Sequence, residues 1–311
     1  MDPVTDRCRG ALLGLAVGDA VGTTLEFRQP GTFEPIDHMV GGGPFNLEPG
    51  QWTDDTSMAL CLATSLVEKG GFDARDQMER YCRWWREGYL SSTGACFDIG
   101  STVRSALRRF EDTGEPFAGS TDPQSAGNGS LMRLAPVPIC FAKCPDRAIE
   151  MAGESSRTTH GAPAAVDACR YLAGLIVGAI HGTSKDDILS PLYAPIPGFW
   201  EQHPLCPQIR EIAEGSFKRK SPPAIRGAGY VVKSLEAALW AFHHGKDFRE
   251  GCVMAANLGD DADTTAAIFG QIAGAFYGMA GIPVEWLGRL HDGDSIVALA
   301  ARLAGGDGTR G

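Results

Sequence analysis

The sequence predicts one compact all-α domain, and three observations support that prediction. Apolar residues recur every three or four positions, the spacing of an amphipathic helix, through most of the chain. Alternating runs of Val, Ile, Thr and Tyr, which are typical of strands, are nearly missing. No low-complexity linker or shift in composition divides the 311 residues, so a single domain is the simplest interpretation.

The helical pattern is strongest in eight segments, several of which end in Gly, as helices often do. In chain order these segments are 7–22, 56–70, 74–90, 100–112, 145–157, 162–182, 229–245 and 247–259. Gly- and Pro-rich stretches predict loops at 41–50, 111–130, 192–208 and 219–229. The domain is predicted to span residues 1–305, and the Gly-rich residues 306–311 are predicted to form a disordered tail.

Composition and charge indicate a globular protein that does not bind nucleic acid. Hydrophobic residues make up 43% and charged residues 21%, which is ordinary for a globular protein. A formal net charge of -10 argues against a surface that binds nucleic acid by releasing counterions. A local pocket for a small phosphate-bearing ligand stays compatible with that charge. We expect a monomer without a nucleic-acid partner.

The cysteine pattern and the length of the apolar stretches indicate the cellular compartment. Nine cysteines lie scattered without a C-x-x-C pair, so reduced thiols in a cytoplasmic protein are expected rather than a disulfide framework. The N-terminal stretch makes a poor signal peptide, because an acid precedes its apolar run. The apolar stretch 264–284 is nearly long enough to cross a membrane, but it contains Gln271, four glycines and a Pro. We therefore expect a buried core helix there and no membrane partner.

Two apolar helices are predicted to begin in clusters of carboxylates. The segment "GQWTDDTSMAL" opens one helix, and "LGDDADTTAAIFG" opens a second helix with a similar acidic start about 200 residues later. If the two helix starts met, their like charges would need cations or bound protons between them. An all-oxygen ligand set of this kind selects hard divalent ions such as Mg²⁺ or Mn²⁺. The alternative is a pair of ordinary helix caps that lie far apart.

Other polar clusters lie in loops where a phosphate-bearing ligand could bind. In "SAGNGSLMRLAP" a Gly-rich turn precedes an apolar helix, and its backbone N–H groups could contact an anion or a ribose hydroxyl. The alternative is a simple turn with Ser130 as the helix N-cap. Asp98 precedes the predicted helix at Ser101 and could cap it. His160 precedes another helix and could be a cap or a surface residue.

Taken together in order, six motifs resemble the ADP-ribosylglycohydrolase family. They are "GLAVGDAVGTTLEF", "GQWTDDTSMAL", "FDIGST", "AGNGSLMRLAPVPI", "TTHG" and "LGDDADTTAAIFGQIAGAFYG". The resemblance spans residues 7 to about 290. It implies an orthogonally packed all-α domain whose cleft holds two divalent cations, Mg²⁺ or Mn²⁺.

The resemblance also implies roles for individual residues. The metal ligands that it implies are Thr53, Asp54, Asp55, Asp261, Asp263 and Thr264. The catalytic acids that it implies are Glu26, beside the metals, and Asp98, near the ribose and the leaving group. The substrate contacts that it implies are the phosphate and ribose loop, the ribose-side histidine and the adenine-side aromatic residue, namely Gly127, Asn128, Gly129, Ser130, His160 and Tyr230. Asp260 falls where many relatives carry Gly and is expected to cap the helix or to support the ligands.

The reaction implied is hydrolysis of the bond between C1″ of an ADP-ribose and a protein side chain. Nearby carboxylates stabilise oxocarbenium character at C1″, and a carboxylic acid protonates the leaving atom. Either Glu26 or Asp98 could be that acid. ADP-ribosyl-arginine is the first expectation because the D-x-G loop at Asp98 resembles that branch, although Ser101 stands where nitrogenase-regulating relatives often have Asn.

Several alternatives stay open at this point. The substrate could be ADP-ribosyl-serine, O-acetyl-ADP-ribose or another ADP-ribose-containing small molecule. The chain could also be a non-catalytic ADP-ribose binder, a hydrolase of another N-glycoside, or a crystallin-like structural protein.

Overall fold

The chain folds as fifteen α-helices joined by turns and loops, over the residues 2–306 that the computed structural model describes. The helices, in chain order, are α1 (Pro3–Gly22), α2 (Asp54–Lys69), α3 (Ala74–Glu87), α4 (Ser101–Thr113), α5 (Pro136–Cys140), α6 (Pro145–Arg157), α7 (Pro163–Ile180), α8 (Lys185–Ile188), α9 (Phe199–Gln202), α10 (Pro207–Ala213), α11 (Val231–His244), α12 (Phe248–Ala256), α13 (Ala262–Tyr277), α14 (Val284–Leu287) and α15 (Gly293–Ala304). Residues 2–306 contain no β-strand, and the all-α prediction is confirmed.

Helices α1 and α13 pack against each other along a seam of small residues. A Cβ atom built on Gly14 would lie 2.1 Å from the carbonyl oxygen of Gly270, and one on Gly18 would lie 2.1 Å from that of Ala266. The two backbones are therefore in direct contact, closer than helices with larger side chains approach. Because Gly14 pairs with Gly270 and Gly18 with Ala266, the helices run antiparallel. The C-terminal end of α1 thus lies beside the N-terminal end of α13.

The seam lies inside the hydrophobic core. Every residue of α13 from Ala262 to Ala275 is buried, so the predicted core helix is confirmed as far as Tyr277. Residues 278–284, which were predicted to continue it, lie beyond the end of the helix. Helices α1, α7, α11 and α12 all contact α13. Within the described residues one helix, α7, is long and apolar enough to cross a membrane, and 89% of that helix is buried inside the protein.

The structure differs from the sequence prediction after Ser130. The predicted apolar helix is absent, turns occupy residues 129–133, and α5 begins only at Pro136. The buried amide of Gln271 on α13 donates to the carbonyl oxygens of Leu131 (3.0 Å) and Met132 (2.8 Å). These two carbonyls are therefore bound by another helix, and Pro136 has no N–H to continue the ladder.

Smaller differences concern short elements. The predicted loop 192–208 contains α9 and the start of α10, and α15 was not predicted at all. Helices α8, α9 and α14 have four residues each, too few to give a periodic signal.

All nine cysteines are free thiols. The domain bounds stay a prediction, because the predicted tail lies, apart from Gly306, outside the described residues.

Candidate active site

The start of α2 is capped by a side chain from another helix. Asp19, on α1, is fully buried and accepts hydrogen bonds from the backbone N–H groups of Thr53 (2.9 Å) and Thr56 (3.0 Å). Its carboxylate also accepts from the hydroxyls of Thr53 (3.0 Å) and Thr56 (2.6 Å). Because Asp19 satisfies these N–H groups, Asp54 and Asp55 are not needed as caps.

The start of α13 meets the start of α2. The Oγ1 atom of Thr53 lies 3.3 Å from an oxygen of Asp55 and 3.3 Å from one of Asp263. The hydroxyl of Thr264 lies 3.4 Å from the same oxygen of Asp55. Neither Thr53 nor Asp261 caps its own helix with its side chain. The alternative of two ordinary caps that lie far apart is therefore wrong.

Glu26 and Asp98 complete the carboxylate cluster. One oxygen from each of Glu26, Asp98 and Asp263 lies within 4.8 Å of the other two. Asp98 stands in a loop with φ of 59°, and the N-cap of α4 is Gly100, which has no side-chain bond. Asp98 is therefore directed to the cluster rather than to the helix start. Five separate segments converge here, which gives the site its concentrated negative charge. They are Asp19 on α1, Glu26, the start of α2, Asp98 and the start of α13.

Burial and like charge raise the proton affinity of these groups. Burial, followed by the charges of Asp98 and Asp261, raises the pKa of Glu26 to about 10. Burial, followed by the charges of Asp261 and Asp19, raises the pKa of Asp98 to about 7. Burial also raises the pKa values of Asp54, Asp55 and Asp263 well above the ordinary range. Ionising all of these groups together is costly unless a cation compensates.

The raised pKa values mean that the stability of the cation-free protein falls as pH rises. In the cation-free protein the folded state binds the protons of Glu26 and Asp98 more tightly than the unfolded chain does. Their contribution to stability is complete below the ordinary carboxyl pKa. It is lost as pH rises through about 7 for Asp98 and about 10 for Glu26.

The donor set fits an oxygen-coordinated divalent cation. Three buried carboxylate oxygens, one each on Glu26, Asp55 and Asp263, have no hydrogen-bond partner. An unpartnered buried carboxylate oxygen is unfavourable unless a proton or a cation neutralises it. Carboxylate and hydroxyl oxygens without a nearby His or Cys are the ligands that hard divalent ions prefer. The acidic cluster is therefore chemically suited to hold metal.

The loop at 127–130 packs on His160. A Cβ atom on Gly129 would lie 2.9 Å from Cε1 of His160, so only glycine leaves room for the ring. The side chain of Asn128 donates to Asp261 (2.8 Å) and to Ser234 (2.9 Å), and thereby fixes the Asp261 carboxylate. Ser130 is buried and accepts from Ser156 rather than capping a helix.

His160 is a buried, neutral imidazole. Its Nδ1 atom lies 2.8 Å from the Thr159 hydroxyl. Burial, followed by the charge of Arg133, lowers the pKa of His160 to about 3. The alternative of a surface histidine is therefore wrong. The ring lines the cleft beside the Gly127–Gly129 loop as an uncharged hydrogen-bonding group.

A cleft of about 880 Å³ joins these parts, and its size suits a nucleotide-sized ligand. The predicted site residues that line it are Glu26, Asp54, Asp98, Gly127, Asn128, Gly129, His160, Asp261, Asp263 and Thr264. Thr53 and Asp55 are fully buried. Tyr230 lies beside the cleft: its backbone pairs with Gly127, and its side chain is 41% exposed. The structure thus brings the predicted residues together around one cavity, with Thr53 and Asp55 buried behind its lining and Ser130 and Tyr230 also outside it.

Comparison with known proteins now identifies the family. A family model described as ADP-ribosylglycohydrolase matches residues 1–311. The chain belongs to the ADP-ribosylglycohydrolase family. The predicted resemblance is confirmed, and the named relatives in the family are hydrolases.

Among the relatives, ADP-ribosylarginine hydrolase Tri1 of Serratia proteamaculans (strain 568) is 44% identical over 298 residues, covering 96% of this chain and 79% of the relative. The Tri1 of Pseudomonas putida (strain GB-1) is 45% identical, covering 96% and 78%. ADP-ribosyl-[dinitrogen reductase] glycohydrolase of Rhodospirillum rubrum is 33% identical, covering 92% and 91%. A solved structure titled "ADP-ribosylglycohydrolase-related protein complex" superposes with a TM-score of 0.86 at 45% identity, covering 98% of this chain and 99% of that one.

Sequence reasoning missed several residues of this ADP-ribosylglycohydrolase. Asp19 was visible only as one acid inside an apolar helix, and Phe27, Phe45 and Arg226 gave no signal although they line the cleft. Asp260 was expected to cap a helix or support the ligands. Instead its carboxylate pairs with Arg226 at 2.9 Å, and its φ of 52° is a conformation that glycine adopts without strain.

Proposed function

We propose that this ADP-ribosylglycohydrolase hydrolyses the bond between C1″ of ADP-ribose and a side chain of a modified protein, with arginine as the first choice. The observation that carries the proposal is the convergence of Glu26 and Asp98 with the two acidic helix starts in one cleft. The arginine linkage is supported by two relatives at 44% and 45% identity that are named ADP-ribosylarginine hydrolases. ADP-ribosyl-serine and O-acetyl-ADP-ribose are the alternatives.

The acidic helix starts are the proposed metal site. The proposed ligands are Thr53, Asp54, Asp55, Asp261, Asp263 and Thr264. The unpartnered oxygens of Asp55 and Asp263 and the absence of His and Cys from this group support two divalent cations, Mg²⁺ or Mn²⁺. When bound, such cations orient a ribose diol and polarise a water.

Glu26 and Asp98 supply the acid chemistry. Departure of the leaving group builds positive charge at C1″, which an ionised carboxylate stabilises. A carboxylic acid delivers a proton to the leaving nitrogen. Burial and the neighbouring carboxylates raise the pKa values of Glu26 and Asp98 in the cation-free protein, and a bound cation lowers the pKa of a carboxylate that it contacts. The acid is therefore whichever of the two does not contact the metal. Their mutual proximity means that they titrate as a pair.

The remaining predicted residues position ADP-ribose. The Gly127–Gly129 loop lines the cleft and is proposed to contact the phosphates or a ribose hydroxyl. The N–H groups of Gly127 and Asn128 already donate to the carbonyls of Ser125 (2.8 Å) and Gly229 (3.2 Å), so the N–H of Gly129 is the proposed donor. Neutral His160 is proposed to hydrogen-bond a ribose without adding charge to the cleft. The half-exposed ring of Tyr230, beside the cleft, is proposed to stack on the adenine.

The test is release of ADP-ribose from arginine-modified and serine-modified peptides and from O-acetyl-ADP-ribose, each at equal concentration, with Mg²⁺ and separately with Mn²⁺. Release from the arginine-linked peptide at the highest kcat/KM supports the proposal. Preferential release from either other substrate moves the assignment to that linkage. Tight binding of ADP-ribose with no release from any substrate would mean that the chain is a non-catalytic binder.

A further inference from the structure

Three phenylalanines from separate segments cluster beside the two acids. Phe27 and Phe45 contact edge to face with ring centroids 6.5 Å apart, and Phe45 and Phe97 lie 5.1 Å apart. Phe27 and Phe45 line the cleft. Phe27 is 68% exposed, and the other two rings are partly buried. The cluster therefore presents one open aromatic ring at the cleft, supported by two others.

The exposed ring is held in place by the backbone. Phe27 has a φ of 58°, a left-handed conformation that is rare for a bulky residue. Its N–H donates to the carbonyl of Asp260 (2.7 Å), and the N–H of Asp260 donates to the carbonyl of Arg28 (2.8 Å). Phe27 makes the first of these bonds and its neighbour Arg28 accepts the second, so the backbone here is held against Asp260, and a bulky residue in this conformation is typical of functional sites.

The position of the cluster points to the leaving group rather than to the adenine. Phe27 directly follows Glu26, and Phe97 directly precedes Asp98, so both rings lie one residue from the acids proposed to act at C1″. The adenine of ADP-ribose is separated from C1″ by two phosphates and a second ribose. The leaving group, in contrast, is bonded to C1″ itself.

The charge around the cluster suits a cation. The carboxyl groups of Glu26 and Asp98 line the same cleft as Phe27, whereas the Asp260 carboxylate is paired with Arg226 at 2.9 Å. A guanidinium stacks on an aromatic face, and the attraction is larger where carboxylates surround it. A serine hydroxyl has neither the charge nor the planar group to make this contact.

We propose that Phe27, supported by Phe45, is the substrate-contacting residue that holds the arginine side chain of the modified protein and favours arginine-linked over serine-linked ADP-ribose. This inference rests on the proposed function and specifies its leaving-group subsite. The ring face contacts the guanidinium, and the ionised member of the Glu26–Asp98 pair compensates its charge.

The experiment compares the wild type with Phe27→Ala, Phe27→Trp and, as a matched control, Phe117→Ala, whose ring is 50% exposed and lies outside the cleft lining. Two quantities are measured: kcat/KM for an arginine-linked peptide, and the Kd of free ADP-ribose by calorimetry. Phe27→Ala is expected to lower kcat/KM between about two- and thirty-fold, the range of a cation–π contact. The Trp variant is expected to retain most of kcat/KM. The Kd of ADP-ribose and both quantities in the control are expected to stay unchanged.

The measurements distinguish a wrong assignment of Phe27 from a wrong assignment of the arginine linkage. If Phe27→Ala weakens ADP-ribose binding as much as it lowers kcat/KM, the ring contacts ADP-ribose itself and the inference is wrong. Unchanged kcat/KM in Phe27→Ala would also overturn it. If the wild type releases nothing from the arginine-linked peptide but acts on the serine-linked one, the proposed arginine function has failed, and the subsite falls with it.

Discussion

The glycine seam between α1 and α13 makes Gly14→Ala a sharp test of the fold. The new Cβ would lie 2.1 Å from the carbonyl oxygen of Gly270, whereas ordinary contacts begin at 3.4 Å, so the helices would need to separate by 3.4 − 2.1 = 1.3 Å. Alanine favours a helix over glycine by about 1 kcal/mol. Overpacking a core costs about 3 kcal/mol at the upper end of its usual range, which applies here because backbone atoms cannot rotate aside. The net loss of unfolding free energy is therefore about 2 kcal/mol or more.

Thermal unfolding measures this loss directly. An unfolding entropy of about 2.1 cal/mol/K per residue gives about 0.65 kcal/mol/K for a chain of this length, so a 2 kcal/mol loss lowers Tm by about 3 °C. The matched control is Gly174→Ala within α7, where the nearest atom to the new Cβ is 3.4 Å away. This variant is expected to keep the wild-type Tm or to raise it by up to about 1.5 °C. A Gly14→Ala variant as stable as Gly174→Ala would refute the direct backbone contact.

Three further predictions concern the site. Asp55→Asn is expected to lower ADP-ribose release at least about a hundred-fold and to weaken Mn²⁺ binding in calorimetry, because metal-site carboxylates act together; wild-type Mn²⁺ affinity in this variant would contradict its place among the ligands. In EDTA, Tm of the wild type is expected to fall as pH rises from 5 to 8, because the pKa values of Asp98 and Glu26 are raised to about 7 and about 10. Glu26→Gln should flatten that slope, and an equal slope in the variant would exclude Glu26 as its source. The ring resonances of His160 are expected to stay constant from pH 5 to 8, because burial lowers its pKa to about 3; a transition in that window would mean that the ring is solvated.

The local part of the fold was predictable from the sequence. Helices such as Pro145–Arg157 were predicted with the observed bounds because their apolar spacing is strictly helical. The failure after Ser130 has a non-local cause, because Gln271 binds the carbonyls that a helix would have used. Glycine spacing in α1 and α13 carried the information for their contact, but glycines read one helix at a time indicate only weak helix formers.

The site was predictable where its chemistry is local. The two acidic helix starts exceed what capping needs, and the structure brings them together. Asp19 could not be identified, because its role depends on the start of α2 lying against α1. Phe27 could not be identified either, because its importance comes from exposure and from a backbone pairing with Asp260, neither of which leaves a periodic pattern.

We propose that the acidic helix starts hold divalent cations that ADP-ribosyl hydrolysis requires. The most direct measurement is ADP-ribose release from an arginine-linked peptide after treatment with EDTA, followed by stepwise return of Mg²⁺ or Mn²⁺. We expect EDTA to abolish release and one of the two ions to restore it, with no restoration in Asp55→Asn. Undiminished release in EDTA would contradict the proposed role of the carboxylate cluster.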